Sequence, residues 1–200
     1  INQGFMAVRV PFGWPDFRIS PEWSLFLDRD GVINHRLPED YVKTWDEFRF
    51  LPGVLDALAM MSLLFGRIFI VTNQAGIEKG VLSHDVLKEI HHLMMEIISY
   101  HGGRVDEIYY CPYKSDLDPF CRKPNPGMAM EAKRDFPDID FRRCLMVGDS
   151  DSDMAFGNRL GMKTILVGDK PDNNFIISDS VPDCRMSSLA DVAAYFSGLG

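Results

Sequence analysis

The 200-residue chain has no basic run, no long apolar run and few cysteines. It carries 21 Lys and Arg against 29 Asp and Glu, a net charge of −8 at pH 7. Without a compensating basic run, a nucleic-acid partner is not expected. No segment approaches the ~18 consecutive apolar residues of a membrane-spanning helix, so no membrane partner is expected either. The four cysteines, Cys111, Cys121, Cys144 and Cys184, are too sparse for a disulfide scaffold. Cys144 opens an apolar run and reads as a buried thiol. Residues 1–23 lack a charged-then-apolar signal pattern, and nothing requires an oxidising compartment, so the cytoplasm is the default expectation. There is no internal repeat or low-complexity tract.

What is present fits one domain of ordinary globular composition over residues 24–200. Residues 1–23, with Pro11, Pro15 and Pro21, read as an irregular arm, docked or partly disordered. Phe5, Phe12, Trp14, Phe17 and Trp23 favour docking, or serve an oligomer contact. Strand-like runs occur at 24–27, 67–72, 105–110, 144–147 and 163–167. Helical spacing alternates with them at 53–65, 83–100, 126–135, 151–160 and 187–196. Ser83 is a good cap for the second helix, whose apolar face reads Val86, Leu87, Ile90, Leu93, Met94 and Ile97. Alternation of this kind predicts an α/β fold, a three-layer Rossmann-like arrangement around a mainly parallel sheet. Ligands of such sheets bind beyond the carboxyl ends of the strands, where Asp28, Thr72, Cys111 and Asp149 all fall.

The densest chemistry is Asp28-Arg29-Asp30-Gly31-Val32-Ile33-Asn34, directly after Leu25-Phe26-Leu27. On an extended chain, residues two apart share a side, so the Asp28 and Asp30 carboxylates would crowd and raise each other's pKa. A divalent cation relieves the crowding, and an all-oxygen set suits Mg²⁺. Gly31 lets the chain turn sharply. The bland alternative is a surface turn rich in Asp and Gly. Three more groups sit near element boundaries: Val71-Thr72-Asn73-Gln74, Arg122-Lys123-Pro124, and Gly148-Asp149-Ser150-Asp151-Ser152-Asp153. Taken singly, each has its own plain reading: Thr72 as a strand end, Lys123 as a solvated cation, Asp149 or Asp151 as a helix N-cap.

In order and wording, DRDGVIN, VTNQAGI, YYCP, CRKPNPGM and VGDSDSDM together resemble the haloacid dehalogenase (HAD) superfamily of phosphohydrolases. Within it they look like the histidinol-phosphatase and D-glycero-D-manno-heptose 1,7-bisphosphate phosphatase branch. The likeness spans roughly Ser24 to Lys170. It implies an HAD-like fold with a minimal cap or none, the segment from Asn34 to Phe50 being the small flap after the first strand. It implies a Mg²⁺-dependent phosphomonoesterase in which Asp28 is the nucleophile and forms an aspartyl-phosphate, while Asp30 is general acid and then base. Asp149, Asp28 and the backbone carbonyl of Asp30 would hold Mg²⁺. Thr72 and Lys123 would meet the phosphoryl oxygens. Arg122 would contact substrate, and Asn73 and Gln74 would touch substrate or shape the phosphate loop. Asp153 would complete the metal's surroundings or hold Lys123.

One loop departs from that branch, where zinc ligands are patterned Cys-x-His and later Cys-x-Cys. Tyr113 stands in the histidine place and Pro119 in that of a cysteine, leaving Cys111 and Cys121. Two thiolates do not make a four-coordinate site, so no zinc is expected, and the loop should pack through Tyr113, Leu117 and Phe120. The wording of VIN and Asp40-Tyr41-Val42 favours a heptose bisphosphate as substrate, with Arg36, Lys43 and Arg122 available to a second phosphate and His35 a weaker candidate contact. Histidinol phosphate or another small sugar phosphate is the alternative, a nucleotide or polynucleotide 3′-phosphate a distant one, and an inactive HAD-like binding module the reading from another class. Because one chain carries every group, a monomer is the simplest expectation.

Overall fold

The computed structural model describes residues 18–38, 40–168 and 177–198. The expected arm therefore falls largely outside the described residues, with Phe5, Phe12, Trp14 and Phe17; Ile19 and Trp23 pack against the core. Six parallel strands form one sheet in the order β3-β2-β1-β4-β5-β6. They are β1 (Ser24–Leu27), β2 (Arg67–Asn73), β3 (Glu107–Cys111), β4 (Cys144–Gly148), β5 (Lys163–Val167) and β6 (Cys184–Met186). The helices are α1 (Val54–Leu64), α2 (His84–Tyr100), α3 (Gly127–Asp135), α4 (Asp151–Leu160) and α5 (Leu189–Ser197).

Strict alternation along the central strands sorts the core into two layers. Leu25, Leu27, Ile68, Ile70, Leu145 and Val147 face α1, α2 and α5. Phe26, Phe69, Val71 and Met146 face α3 and α4. The sequence misses β6, a three-residue strand too short to show a period, and starts β3 two residues early. Its face for α2 is slightly rotated: Leu87, Ile90, His91, Met94 and Ile98 are the buried positions. Ser83 caps α2 as expected, its side chain accepting from Val86 N–H. No cap domain interrupts the described residues. The segment between β1 and α1 is a flap that returns on itself, with Asn34 bridged to Phe50 and His35 N–H donating to the Arg49 carbonyl. Buried Val42 and Phe48, and the Trp45 ring stacked on Phe48 at 5.0 Å, hold it to the core. No described helix is long and apolar enough to cross a membrane.

The strand order reverses between β1 and β4, which opens a crevice at their carboxyl ends. On the α3–α4 side the β2 ladder rests on Phe69, fully buried and 5.1 Å from both the Phe26 and Phe136 rings. Phe69→Ala should therefore cost about 3–5 kcal/mol, read as a lower urea midpoint at unchanged slope.

Candidate active site

β1 ends at Leu27, and Asp28 N–H still donates to the Val147 carbonyl of β4, so Asp28 opens directly over the crevice. The next residues leave the strand, and Gly31 turns the chain at φ +90°. Asp28 and Asp30 therefore do not share a strand face, and each carboxylate has its own cation. Asp30 accepts from Arg29 Nη2 at 2.9 and 3.0 Å, from Asn34 Nδ2 at 2.9 Å and from Gln74 Nε2 at 2.9 Å. Burial alone would push its carboxyl up, but the fully buried Arg29 and these donors hold it below the usual carboxylate range. The amides that serve Asp30 do so at a cost: Asn34 Oδ1 and Gln74 Oε1 are buried without a partner among the described residues.

Asp28 is paired instead with Lys123. The buried Lys123 Nζ lies 2.8 Å from Asp28 Oδ1, 2.6 Å from Asp153 Oδ1 and 2.6 Å from the Val71 carbonyl. Desolvation works against its charge, but Asp153 and Asp28 outweigh it and raise its pKa. Lys123 is placed by a reciprocal clamp: Lys123 N–H donates to Asn73 Oδ1 at 3.0 Å and Asn73 Nδ2 to the Lys123 carbonyl at 3.2 Å. Both polar atoms of Asn73 are thus spent on the loop, which the cis Lys123–Pro124 peptide continues. Thr72, buried at the end of β2, accepts from Gln74 Nε2 at 2.9 Å, which leaves its own hydroxyl hydrogen to be donated into the crevice.

Beyond β4, Ser150 rather than Asp149 or Asp151 is the N-cap of α4. Asp153 closes a capping box, its Oδ2 accepting from Asp149 N–H, Ser150 N–H and Ser150 Oγ while Oδ1 meets Lys123. Oxygens of Asp28, Asp149 and Asp153 all lie within 4.8 Å of one another. Burial, then Asp153, then Asp149 push Asp28 up to about 8 against the pull of Lys123. Asp30 is the smallest of these influences, so the crowding expected within the Asp28–Asp30 pair arises across β1 and β4 instead. Three converging carboxylates face Lys123 and the half-exposed Arg36, whose Nη1 is 3.2 Å from Asp149 Oδ2. This hard, under-neutralised oxygen set fits a divalent cation such as Mg²⁺.

The cavity beside these groups is about 180 Å³, and Arg36, Tyr41 and Arg122 are among the residues that line it. Arg122 is half-buried and donates to the Tyr113 carbonyl at 3.1 Å. Two of the candidate flap contacts, Lys43 and His35, are not among the cavity's lining: Lys43 is tied to Asp40 at 2.5 Å and Glu47 at 3.8 Å, and His35 is exposed. Cys111 and Cys121 are joined to each other in a disulfide with Cα atoms 5.3 Å apart. The loop they close does not pack through its apolar residues; Tyr113, Leu117 and Phe120 are 52, 87 and 64 % exposed. Two buried partners were invisible in the sequence reading, Arg29 and His91. His91 Nε2 accepts from Arg29 Nη1 at 3.1 Å, since a guanidinium only donates. The available signal was a histidine on the apolar face of α2, beside Ile90 and one turn from Leu87 and Met94.

The HAD-hydrolase-like family model matches residues 120–173. The D-glycero-alpha-D-manno-heptose-1,7-bisphosphate 7-phosphatase of Mycobacterium bovis is 38 % identical over 144 residues, 72 % of this chain and 75 % of that protein. The D-glycero-beta-D-manno-heptose-1,7-bisphosphate 7-phosphatase of Photorhabdus laumondii is 32 % identical over 187 residues, 88 % of this chain and 96 % of that one. Among solved structures, the D,D-heptose 1,7-bisphosphate phosphatase of B. bronchiseptica, complexed with magnesium and phosphate, superposes with a TM-score of 0.75 at 30 % identity, covering 89 % of this chain and 99 % of that one.

Two outcomes follow from the geometry. A Cβ on Gly31 would lie 2.2 Å from Asp149 Oδ2 in a left-handed backbone. Gly31→Ala should cost about 1–3 kcal/mol by denaturant titration and weaken divalent-cation binding in calorimetry. Burial, reinforced by Arg29, lowers His91 to about 3. The folded state therefore binds fewer protons than the unfolded one between that value and the ordinary 6.5, and its stability is lost as pH falls through this window. Relative to wild type, His91→Gln should flatten the stability decline between pH 6.5 and 4.5 by about 1–2 kcal/mol, measured by urea unfolding.

Proposed function

Because this chain belongs to the HAD-like hydrolases, in the family of the heptose-bisphosphate phosphatases, we propose that it removes the 7-phosphate of D-glycero-D-manno-heptose 1,7-bisphosphate. The observation that carries this reading is the convergence of Asp28, Lys123, Asp149 and Asp153 at the rim between β1 and β4. In our reading the enzyme works as a monomer on a small phosphorylated sugar. We place it in the cytoplasm, where Cys144 and Cys184 stay free buried thiols and the Cys111–Cys121 disulfide would be open to reduction.

The chemistry follows from the side chains. Lys123 holds Asp28 Oδ1, so Oδ2 is the oxygen free to attack phosphorus in line. A new phosphorus–oxygen bond forms on Asp28 as the ester oxygen departs with a proton from Asp30. Water then attacks the aspartyl-phosphate, Asp30 takes its proton, and inorganic phosphate leaves with the Asp28 carboxylate restored. Arg29, Asn34 and Gln74 favour the anionic form of Asp30, which suits the second step; Asp30 must gain a proton before the first. Thr72 donates its hydroxyl to a phosphoryl oxygen, and Lys123 keeps a fixed positive charge at the reacting carboxylate. Asp28 and Asp149, with Asp153 beside them and, as the resemblance implies, the backbone carbonyl of Asp30, would hold a magnesium ion, which would supply the neutralisation that lets a carboxylate approach a phosphate dianion.

Asp28→Asn should lower kcat by at least about 10³ while leaving the unfolding midpoint near wild type. Across a panel with Mg²⁺, kcat/KM for the heptose bisphosphate should exceed that for histidinol phosphate by about tenfold or more. The reverse order would make this a histidinol phosphatase. No phosphate release from any ester would leave a binding module.

A further inference from the structure

Arg36 lies in the flap, beside the partly buried Leu37 that packs on the core, and it lines the cavity while its guanidinium reaches Asp149. Its Nη1 is 3.4 and 3.2 Å from the two carboxylate oxygens of Asp149. The partners are unequal in environment: the Arg36 side chain is 58 % exposed and that of Asp149 12 %. Asp149 is one of the three converging carboxylates, and Lys123 is already committed to the other two and to Val71. Arg36 therefore supplies Asp149 with the positive charge that a divalent cation would otherwise bring.

The two cannot share Asp149 at full strength, because both approach the same oxygens and repel each other. An arginine displaced from Asp149 keeps its charge at any working pH, and its planar fork matches a phosphate. Arg36 lines the same cavity as Thr72 and Lys123, but is exposed where they are buried. The two other flap cations do not line the cavity: Lys43 is held by Asp40 and Glu47, and Arg49 donates to the Phe48 carbonyl.

We propose that Arg36 exchanges partners and thereby selects substrate. It neutralises Asp149 while the cation site is empty, and it turns to the second phosphate of a bisphosphorylated substrate once a divalent cation takes Asp149. The second half rests on the bisphosphatase reading given above; the first half does not.

The test is Arg36→Met, which keeps the apolar stem and removes the charge. Magnesium chloride titrated calorimetrically into substrate-free protein should bind about three- to tenfold more tightly to the variant than to wild type, the scale of a partly exposed ion pair plus relief of repulsion. Equal or weaker affinity overturns the exchange. At saturating Mg²⁺, the ratio of kcat/KM for the heptose 1,7-bisphosphate to that for the 7-monophosphate should fall by about tenfold or more, the loss of one charge-assisted phosphate contact. An unchanged ratio overturns the selecting role. Failure of the bisphosphatase reading itself would be seen in wild type, as no preference for the bisphosphate over the monophosphate, and the calorimetric arm would still decide the exchange at Asp149.

Discussion

The Lys123 ammonium is the interaction on which the site depends. It is buried, and its three acceptors come from three different elements: Asp28 after β1, Val71 of β2 and Asp153 of α4. A buried cation of this kind is tolerated only when its partners are close and well placed, and losing both carboxylates would leave it an uncompensated charge. That requirement explains the surrounding detail. Asn73 spends its whole side chain fixing the Lys123 main chain, and Asp153 is itself immobilised by the capping box of α4. The sheet supplies the rigid frame, since β1, β2 and β4 are neighbours in it.

Asp28 and Asp30, two residues apart, end in opposite electrostatic states. Asp30 is surrounded by donors and held anionic; Asp28 sits among carboxylates and is pushed to about 8. Burial and the neighbouring carboxylates raise Asp28 against the pull of Lys123, so further positive charge beside it would favour its anionic form. Environments that push two neighbouring acids apart are a recurrent way of giving them different tasks. The separation depends on Arg29, which is fully buried, and on His91 behind it.

Much of this was legible in the chain because the central strands, buried on both faces, read as continuous apolar runs, and those of β1, β2 and β4 lead into polar residues at their carboxyl ends. Asp28, Thr72 and Asp149 were found in that way. What stayed hidden has physical causes. Cys184–Met186 is too short for a period, so β6 was missed. An arginine between two aspartates looks solvated, and only the fold shows that Arg29 is enclosed. Ser150 and Asp153 form a capping box at the expected spacing, but the acidic cluster drew attention to metal binding and masked it. The apolar residues of the 111–121 loop suggested packing, whereas a disulfide closes the loop and leaves them exposed. The flap showed its length but not its direction, so the reach of Arg36 to Asp149 could not be read.

The central claim is that Asp28 is the reacting group and that its cation site lies toward Asp149. A crystal structure with magnesium and beryllofluoride tests it most directly. The account predicts the fluoride adduct on an Asp28 carboxylate oxygen, with Lys123 still in contact and the metal between Asp28 and Asp149. An adduct on another residue, or a metal held away from both aspartates, would contradict it.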